Sequence, residues 1–291
     1  MLKHMPLHTT EWAQAKEMDG EVVHRFTLEE TNASCDVPIY LRRLGMLRCG
    51  WTPYGIPYYG DGAVVRRQLG RFLRNNNLLG LLSYSFRYLS EKDIVREYGL
   101  SSRFKRFYTY VLNLDEETME QIQNRFNKTT KKHIKRAVDA GFQIKPMLEK
   151  DIEDFFIHYK QLCINNGFSP ICTKTFLLNL FNLCQNSSNT DLNFLGLKSE
   201  KSGEIHGYMI GLSSGSYFLE FLRADVTIPN NRGYDRKLLT YKMIETAIDR
   251  QDKYYDFGGV NLRRGKGVLD FKRGFGGVLL SSDPLKMISA F

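Results

Sequence analysis

Residues Tyr254 to Gly277 read Tyr-Tyr-Asp-Phe-Gly-Gly-Val-Asn-Leu-Arg-Arg-Gly-Lys-Gly-Val-Leu-Asp-Phe-Lys-Arg-Gly-Phe-Gly-Gly. Tyr254 to Phe257 is a short aromatic strand signal, stopped by Gly258 and Gly259. Beyond them further glycines are interleaved with five cations, Arg263, Arg264, Lys266, Lys272 and Arg273. Glycine lets backbone N–H groups approach a ligand, and the cations supply charge for phosphate or for a developing oxyanion. On glycine and charge alone, the simpler reading is a basic surface hairpin whose glycines make turns. The surrounding elements decide how far to go beyond it.

Immediately upstream, a meander of three short strands is expected at Leu192–Lys198, Glu204–Leu212 and Tyr217–Ala224, because Ser/Gly turns separate them. A helix follows from Asp235 or Arg236 to about Arg250, with Leu238, Leu239, Met243, Ile244, Ala247 and Ile248 as its apolar stripe. Two further period-3.6 helices are expected at Asp151–Asn166 and Thr173–Asn186. Between residues 115 and 141 an acidic helix gives way to a basic one. Asn113 and Asp115 are its N-cap candidates, with Glu116 placed as in a capping box. Lys128, Lys131, Lys132, Lys135 and Arg136 then precede Gly141, and a strand over Phe142–Met147 follows.

The N-terminal third offers a helix over 9–19 and strands at Val22–Leu28, Val37–Arg43 and Met46–Trp51. Then come the Pro/Gly/aromatic loop starting at Trp51, a helix over Asp61–Asn76 and a strand over Leu78–Tyr88. A short helix at Glu91–Tyr98 and a half-buried strand at Lys105–Leu114 complete it. The arginines of the 61–76 helix read as a solvated face.

The order Tyr-Asp-Phe-Gly-Gly, basic loop, Phe-Lys-Arg-Gly-Phe-Gly-Gly resembles the C-terminal signature of the FemAB/FemX family. Those enzymes transfer aminoacyl groups to peptidoglycan precursors and belong to the GNAT acyltransferase superfamily. The basic segment at mid-chain is similar to the family's I-x-x-A-x-x-x-G helix, here Ile134, Ala137 and Gly141. Lys131 stands where the family usually has arginine. The resemblance runs over residues 10–280 and is densest at 128–147 and 254–277. It implies an α/β (α+β) fold of tandem GNAT-like lobes, mixed sheets with helices on both faces. The expected division is 1–115 and 116–291, with the signature loop in the second lobe. No sustained heptad run is present, so the family's coiled-coil arm is not expected.

GNAT enzymes hold the pyrophosphate of coenzyme A at the loop before the helix that here begins near Asp235. Of the residues aligned with it, Asn230, Gly233 and Asp235, only Gly233 keeps the pattern. Asp235 would oppose a diphosphate and is a good N-cap instead, so no coenzyme A is expected at this loop. The resemblance leaves the donor as aminoacyl-tRNA or an acyl thioester.

The chain has 291 residues and a net charge of +9, which points to an anionic partner. Its five cysteines contain no C-x-x-C pair and leave an odd one, arguing against a disulfide framework and for a reducing, cytoplasmic compartment. No signal peptide is visible in Met1–Gln14, and the longest apolar run, Leu78–Leu82, cannot span a bilayer. No metal-ligand spacing and no nucleophile elbow are present.

Acyl transfer to an amine needs positioning, a path for the amine proton and oxyanion stabilisation. The resemblance assigns oxyanion or phosphate stabilisation to Lys272. Arg273, Arg263, Arg264 and Lys131 are the candidate phosphate anchors, and Gly258 and Gly259 the candidate backbone contacts. Asp256 would accept the amine proton or orient a tyrosine or, equally, hold loop N–H groups. Tyr234, Tyr254 and Tyr255 are candidate proton relays or core aromatics. The function implied is acyl or aminoacyl transfer to an amine of a cell-envelope or polysaccharide precursor. The partners would be an anionic phosphorylated substrate, tRNA, and the membrane surface through a lipid-linked substrate. The alternatives are a non-catalytic basic module that holds RNA or anionic lipid, and an acyl-CoA-dependent N-acetyltransferase. The basic 128–136 helix and the 263–273 loop are expected to line one groove.

Overall fold

Along Tyr208-Met-Ile-Gly-Leu212 successive side chains serve two different cores, as the period of a central strand requires. Tyr208, Ile210 and Leu212 join one, and Met209 joins the other. The computed structural model describes residues 5–83, 86–88, 108–226, 235–260, 266–282 and 286–289. In chain order its elements are α1 (Thr10–Met18), β1 (Val23–Glu30), β2 (Ala33–Leu44), β3 (Leu47–Trp51), β4 (Tyr58–Gly60), α2 (Gly62–Asn75), β5 (Gly80–Ser83), β6 (Phe86–Tyr88) and β7 (Tyr108–Asn113). They continue with α3 (Met119–Arg125), α4 (Lys128–Asp139), β8 (Phe142–Pro146), α5 (Ile152–Asn166), α6 (Lys174–Gln185), β9 (Thr190–Ser199), β10 (Ile205–Ser214), β11 (Tyr217–Asp225), α7 (Arg236–Asp249), β12 (Tyr254–Gly259), α8 (Lys266–Arg273), β13 (Val278–Ser282) and β14 (Lys286–Ser289).

The strands form two mixed sheets. The first has the order β1-β2-β3-β5-β14, with β4 paired to β2; the second runs β6-β13-β7-β12-β11-β10-β9-β8. Parallel pairing occurs at β3–β5 and at β11–β12. Helix α2 buries Val64, Val65, Leu69 and Leu73 against the first sheet. The second sheet carries helices on both faces. On one face Phe155, Tyr159, Phe176 and Leu180 of α5 and α6 pack with Tyr208, Ile210 and Tyr217. On the other, Leu239, Met243 and Ile244 of α7 and Leu269 of α8 pack with Phe218, Tyr255 and Phe257. This is the tandem α/β architecture expected, with helices on both faces of the larger sheet.

Sequence order and sheet membership part company at both ends. The strand expected over Leu78–Tyr88 is two strands, β5 in the first sheet and β6 in the second. β7 also belongs to the second sheet, because Tyr110 and Leu112 bury their side chains in its core, while β14 returns to close the first. A cut at 115/116 therefore does not separate the sheets. The acidic helix starts later than Asn113 or Asp115 would set it. Glu116 has φ 59, and the capping box is Thr118 with Gln121. The expected helix at 91–98 lies outside the described residues. The stretch expected as a basic loop to residue 273 is helical from Lys266, because Leu269 buries into the second core and Phe271 packs beside it.

Candidate active site

The parallel strands β11 and β12 pair at Tyr217–Tyr254, Phe218–Tyr255 and Leu219–Asp256, and the register goes no further. A bulge between Ile210 and Gly211 in the β10–β11 ladder adds Phe221 to β11 at the same level. Beyond this point Glu220 to Arg223 and Phe257 to Val260 stand where the two strands part. Gly258 adopts φ +74, a left-handed conformation, and a Cβ there would lie 3.0 Å from the Glu220 carbonyl oxygen. Only glycine allows that approach without strain.

Lys272, in the last turn of α8, reaches into this opening and is 7% exposed. Its ammonium donates to the carbonyl oxygens of Gly258 at 2.8 Å and Gly259 at 2.9 Å. Two of three N–H donors are thus engaged, which fixes the direction of the third. Burial pushes its pKa down to about 8 and Arg223 adds to the lowering, while Glu220 and Asp256 oppose it. The two glycines contribute carbonyls to the site. The expectation of N–H contacts to a ligand fails at Gly258, whose N–H donates to Asp256 Oδ1 at 2.7 Å.

Asp256 is fully buried. It also accepts from the hydroxyls of Thr109 and of Tyr217, the latter at 2.7 Å. Tyr54, from the Pro/Gly/aromatic loop, bonds Thr109 and so ties the first lobe to this carboxylate. Burial raises the pKa of Asp256, against these donors and Lys272. Both of its oxygens accept hydrogen bonds, from the loop N–H of Gly258 and from the hydroxyls of Thr109 and Tyr217, so it holds the loop and orients Tyr217. Tyr255 is buried as well, stacked on Phe218 at 5.3 Å, and its hydroxyl donates to Glu220 Oε2 at 2.9 Å. Burial, then Glu220, hold its pKa well above the ordinary value. Tyr255 is therefore a positioning group for Glu220. The Tyr254 ring lies tilted beside Tyr217, centroids 6.1 Å apart, and packs against the first of the second sheet's cores.

Sequence reading missed Glu220, Arg223 and Lys237. Glu220 Oε1 takes no hydrogen bond among the described residues and lies 4.0 Å from Arg223 Nη1. Arg223 donates to Arg236 O and Thr240 Oγ1, both at 2.9 Å, and sits 5.0 Å over the Phe271 ring. A glutamate between apolar neighbours in Phe218-Leu-Glu-Phe-Leu222 was the available signal, since a central strand does not bury a carboxylate without a use for it. Arg273 is exposed, 3.9 Å from Asp270. Lys131 is exposed on α4, while its neighbour Thr130 is buried. Where the basic helix and the residues after the basic stretch adjoin, Asn127 N–H donates to Gly274 O at 3.0 Å. Asp235 is buried and its carboxylate accepts from the Arg236 N–H at 3.0 Å, the capping role expected of it. Arg263, Arg264, Gly233 and Tyr234 lie outside the described residues. Among the described residues no group of side chains is suited to a metal ion, and no helix is long and apolar enough to cross a membrane.

A sheet with a β11–β12 opening, helix α7 entering beside it and a second lobe in front can be compared with solved structures. The structure of FemX superposes with a TM-score of 0.70 over 96% of this chain and 92% of that one, at 12% identity. The fold is that of FemX. A tandem GNAT protein from the clavulanic acid biosynthesis pathway matches this FemX-like fold with a TM-score of 0.51 at 9% identity, covering 92% of this chain and 84% of that one. L-PGS from Bacillus licheniformis gives 0.51 at 13% identity, over 89% and 83%. No protein-family model and no curated protein matches the chain in sequence.

Proposed function

We propose that this chain is an acyltransferase that moves an aminoacyl or acyl group from an ester or thioester to an amine. The observation that carries the reading is the Lys272 ammonium, buried at the β11–β12 opening with two donors fixed on Gly258 and Gly259. In the transfer the amine nitrogen attacks the acyl carbonyl carbon and a C–N bond forms. The carbonyl oxygen becomes an oxyanion, which the third N–H of Lys272 meets in a water-poor site where such a bond is strongest. The amine proton passes to Glu220 Oε1, the carboxylate oxygen that Tyr255 does not bond. Collapse of the tetrahedral intermediate breaks the C–O or C–S bond, and the departing oxygen or sulfur takes up a proton. Tyr255 fixes the orientation of Glu220 through its hydroxyl.

The motif resemblance to FemAB/FemX enzymes, joined to the FemX fold, supports an acceptor amine on a phosphorylated cell-envelope precursor and a donor such as aminoacyl-tRNA. Charged tRNA, acyl-CoA and acyl carrier protein, each offered with amine acceptors, test this by mass spectrometry of the amide product. One donor should be consumed by the wild-type chain and not by Lys272→Met. A chain that consumes none of the three, or an unimpaired Lys272→Met, would refute the reading.

A further inference from the structure

Tyr54 is buried in the Pro/Gly/aromatic loop of the first lobe and has φ 57, a left-handed conformation that a bulky residue adopts at a cost. Such strain persists only where the surroundings impose it, and here two attachments do. On one side His8, in the short 3-10 turn Pro6–His8, donates from Nε2 to the carbonyl oxygen of Pro53 at 2.6 Å. Burial lowers the His8 pKa to about 4, so the ring stays neutral with its proton on that nitrogen. On the other side the Tyr54 hydroxyl bonds Thr109 of β7.

Thr109 is 1% exposed, and its one hydroxyl proton lies between Asp256 Oδ1 and the carbonyl oxygen of Gly258, the latter at 3.0 Å. With that proton committed, the Thr109 oxygen accepts from Tyr54. Burial, then Asp256, hold the Tyr54 pKa well above its ordinary value, so the phenol keeps a proton to give. The β7–β12 ladder shifts register at this level, Asp256 standing opposite Val111 and Gly259 opposite Thr109, which leaves one extra residue in β12. The Gly258 carbonyl sits in that irregular stretch, and it is the same carbonyl that takes the Lys272 ammonium at 2.8 Å. From Tyr54 the path to Lys272 therefore runs through Thr109 and one backbone oxygen.

We infer that Tyr54 is a positioning residue of the transfer centre: through Thr109 it fixes the Gly258 carbonyl, and through that carbonyl the direction of the Lys272 ammonium. The oxyanion donor belongs to the second lobe, but it is aimed only while the first lobe's loop is docked. An oxyanion donor acts by being fixed in place before the reaction, so a small loss of direction is costly in rate. The effect on transfer rests on the acyltransferase reading; the placement of Lys272 by Tyr54 does not.

Tyr54→Phe keeps the buried ring and removes its hydroxyl. Thr109→Val keeps the shape of the next residue and removes its hydroxyl, and Thr109→Ser retains that hydroxyl. NMR of the chain carrying 13C,15N-lysine reads Lys272 directly, its signals identified by their absence in Lys272→Met. The Lys272 Cε and Nζ signals should move in Tyr54→Phe and in Thr109→Val, and lie close to their wild-type positions in Thr109→Ser. Circular dichroism shows which variants are folded, and either of the first two suffices. In single-turnover transfer with pre-bound donor, each should lose about 10- to 100-fold in rate at unchanged donor affinity, and Thr109→Ser should keep most of the rate. In a Lys272→Met background Tyr54→Phe should cost less than about 2-fold more, because its effect runs through the lysine already lost. Lys272 signals unmoved in the folded variants, or rate losses of Tyr54→Phe and Lys272→Met that multiply in the double variant, would overturn the inference. Signals that move in a chain that takes an acyl group from none of the three donors would refute the acyltransferase reading and leave the positioning of Lys272 standing.

Discussion

Replacing Lys272 by methionine removes a buried ammonium while keeping most of the side-chain volume, and its effect on stability should depend on pH in one direction. In the folded chain burial holds this pKa at about 8, against an ordinary value of 10.5. Below pH 8 both folded and unfolded wild type carry the proton, and the folded state bears the whole cost of a buried charge. Between pH 8 and 10.5 the unfolded chain binds more protons than the folded one, so wild-type stability rises with pH across that window. Each pH unit is worth about 1.4 kcal/mol, so the gain by pH 10 is on the order of 2 to 3 kcal/mol. Lys272→Met has no such group. Urea unfolding of both proteins at pH 7 and pH 10 gives the difference directly. At pH 7 the two should lie within about 2 kcal/mol, since lost hydrogen bonds to Gly258 and Gly259 offset relief from desolvation. At pH 10 wild type should have gained by the amount above. A difference that stays flat between the two pH values would mean that Lys272 is solvated, and the oxyanion argument would fall with it.

Gly258→Ala should destabilise by roughly 1 to 2 kcal/mol, because φ +74 disfavours a side chain and the new Cβ would meet Glu220 O at 3.0 Å; thermal unfolding measures it. Glu220→Gln should lower turnover by about 10²- to 10⁴-fold with donor affinity unchanged, as loss of a general base does, and steady-state kinetics on the donor identified checks it. Burial raises the Asp252 pKa to about 6, with Ser213 and Arg250 opposing. The folded chain therefore holds that proton more tightly between about pH 4 and 6, and wild type should lose on the order of 2 to 3 kcal/mol relative to Asp252→Asn as pH rises through this window. Chemical denaturation at pH 4 and pH 7 reads the difference.

Much of the second lobe is legible in the residues. Ser/Gly turns mark the β9–β11 meander, and the apolar stripe of α7 is written at helical spacing from Leu238 to Ile248. Lys272 is singled out by its place in Phe-Lys-Arg-Gly-Phe. The partners that define its surroundings are not, because pairing across the sheets sets them. Thr109 and Asp256 are 147 residues apart, and Tyr255 meets Glu220 across the β11–β12 pair. For the same reason the sequence leaves the role of Asp256 open, while in the fold Thr109, Tyr217 and Gly258 all donate to it. The start of α8 is obscured by Gly265 and Gly267, which read as loop residues, whereas Leu269 is pulled into helix by the core it fills. Lys237 is hidden within an apolar stripe, where a lysine reads as a surface residue until its burial is known.

The central claim is that Lys272 stabilises an oxyanion in acyl transfer. Single-turnover formation of the amide, measured with pre-bound donor for wild type and Lys272→Met, tests it most directly. The donor should bind both proteins with similar affinity, and the transfer rate should fall about 10²- to 10³-fold in the variant, as for the loss of one oxyanion donor. Equal transfer rates, or a loss that appears only in donor binding, would contradict it.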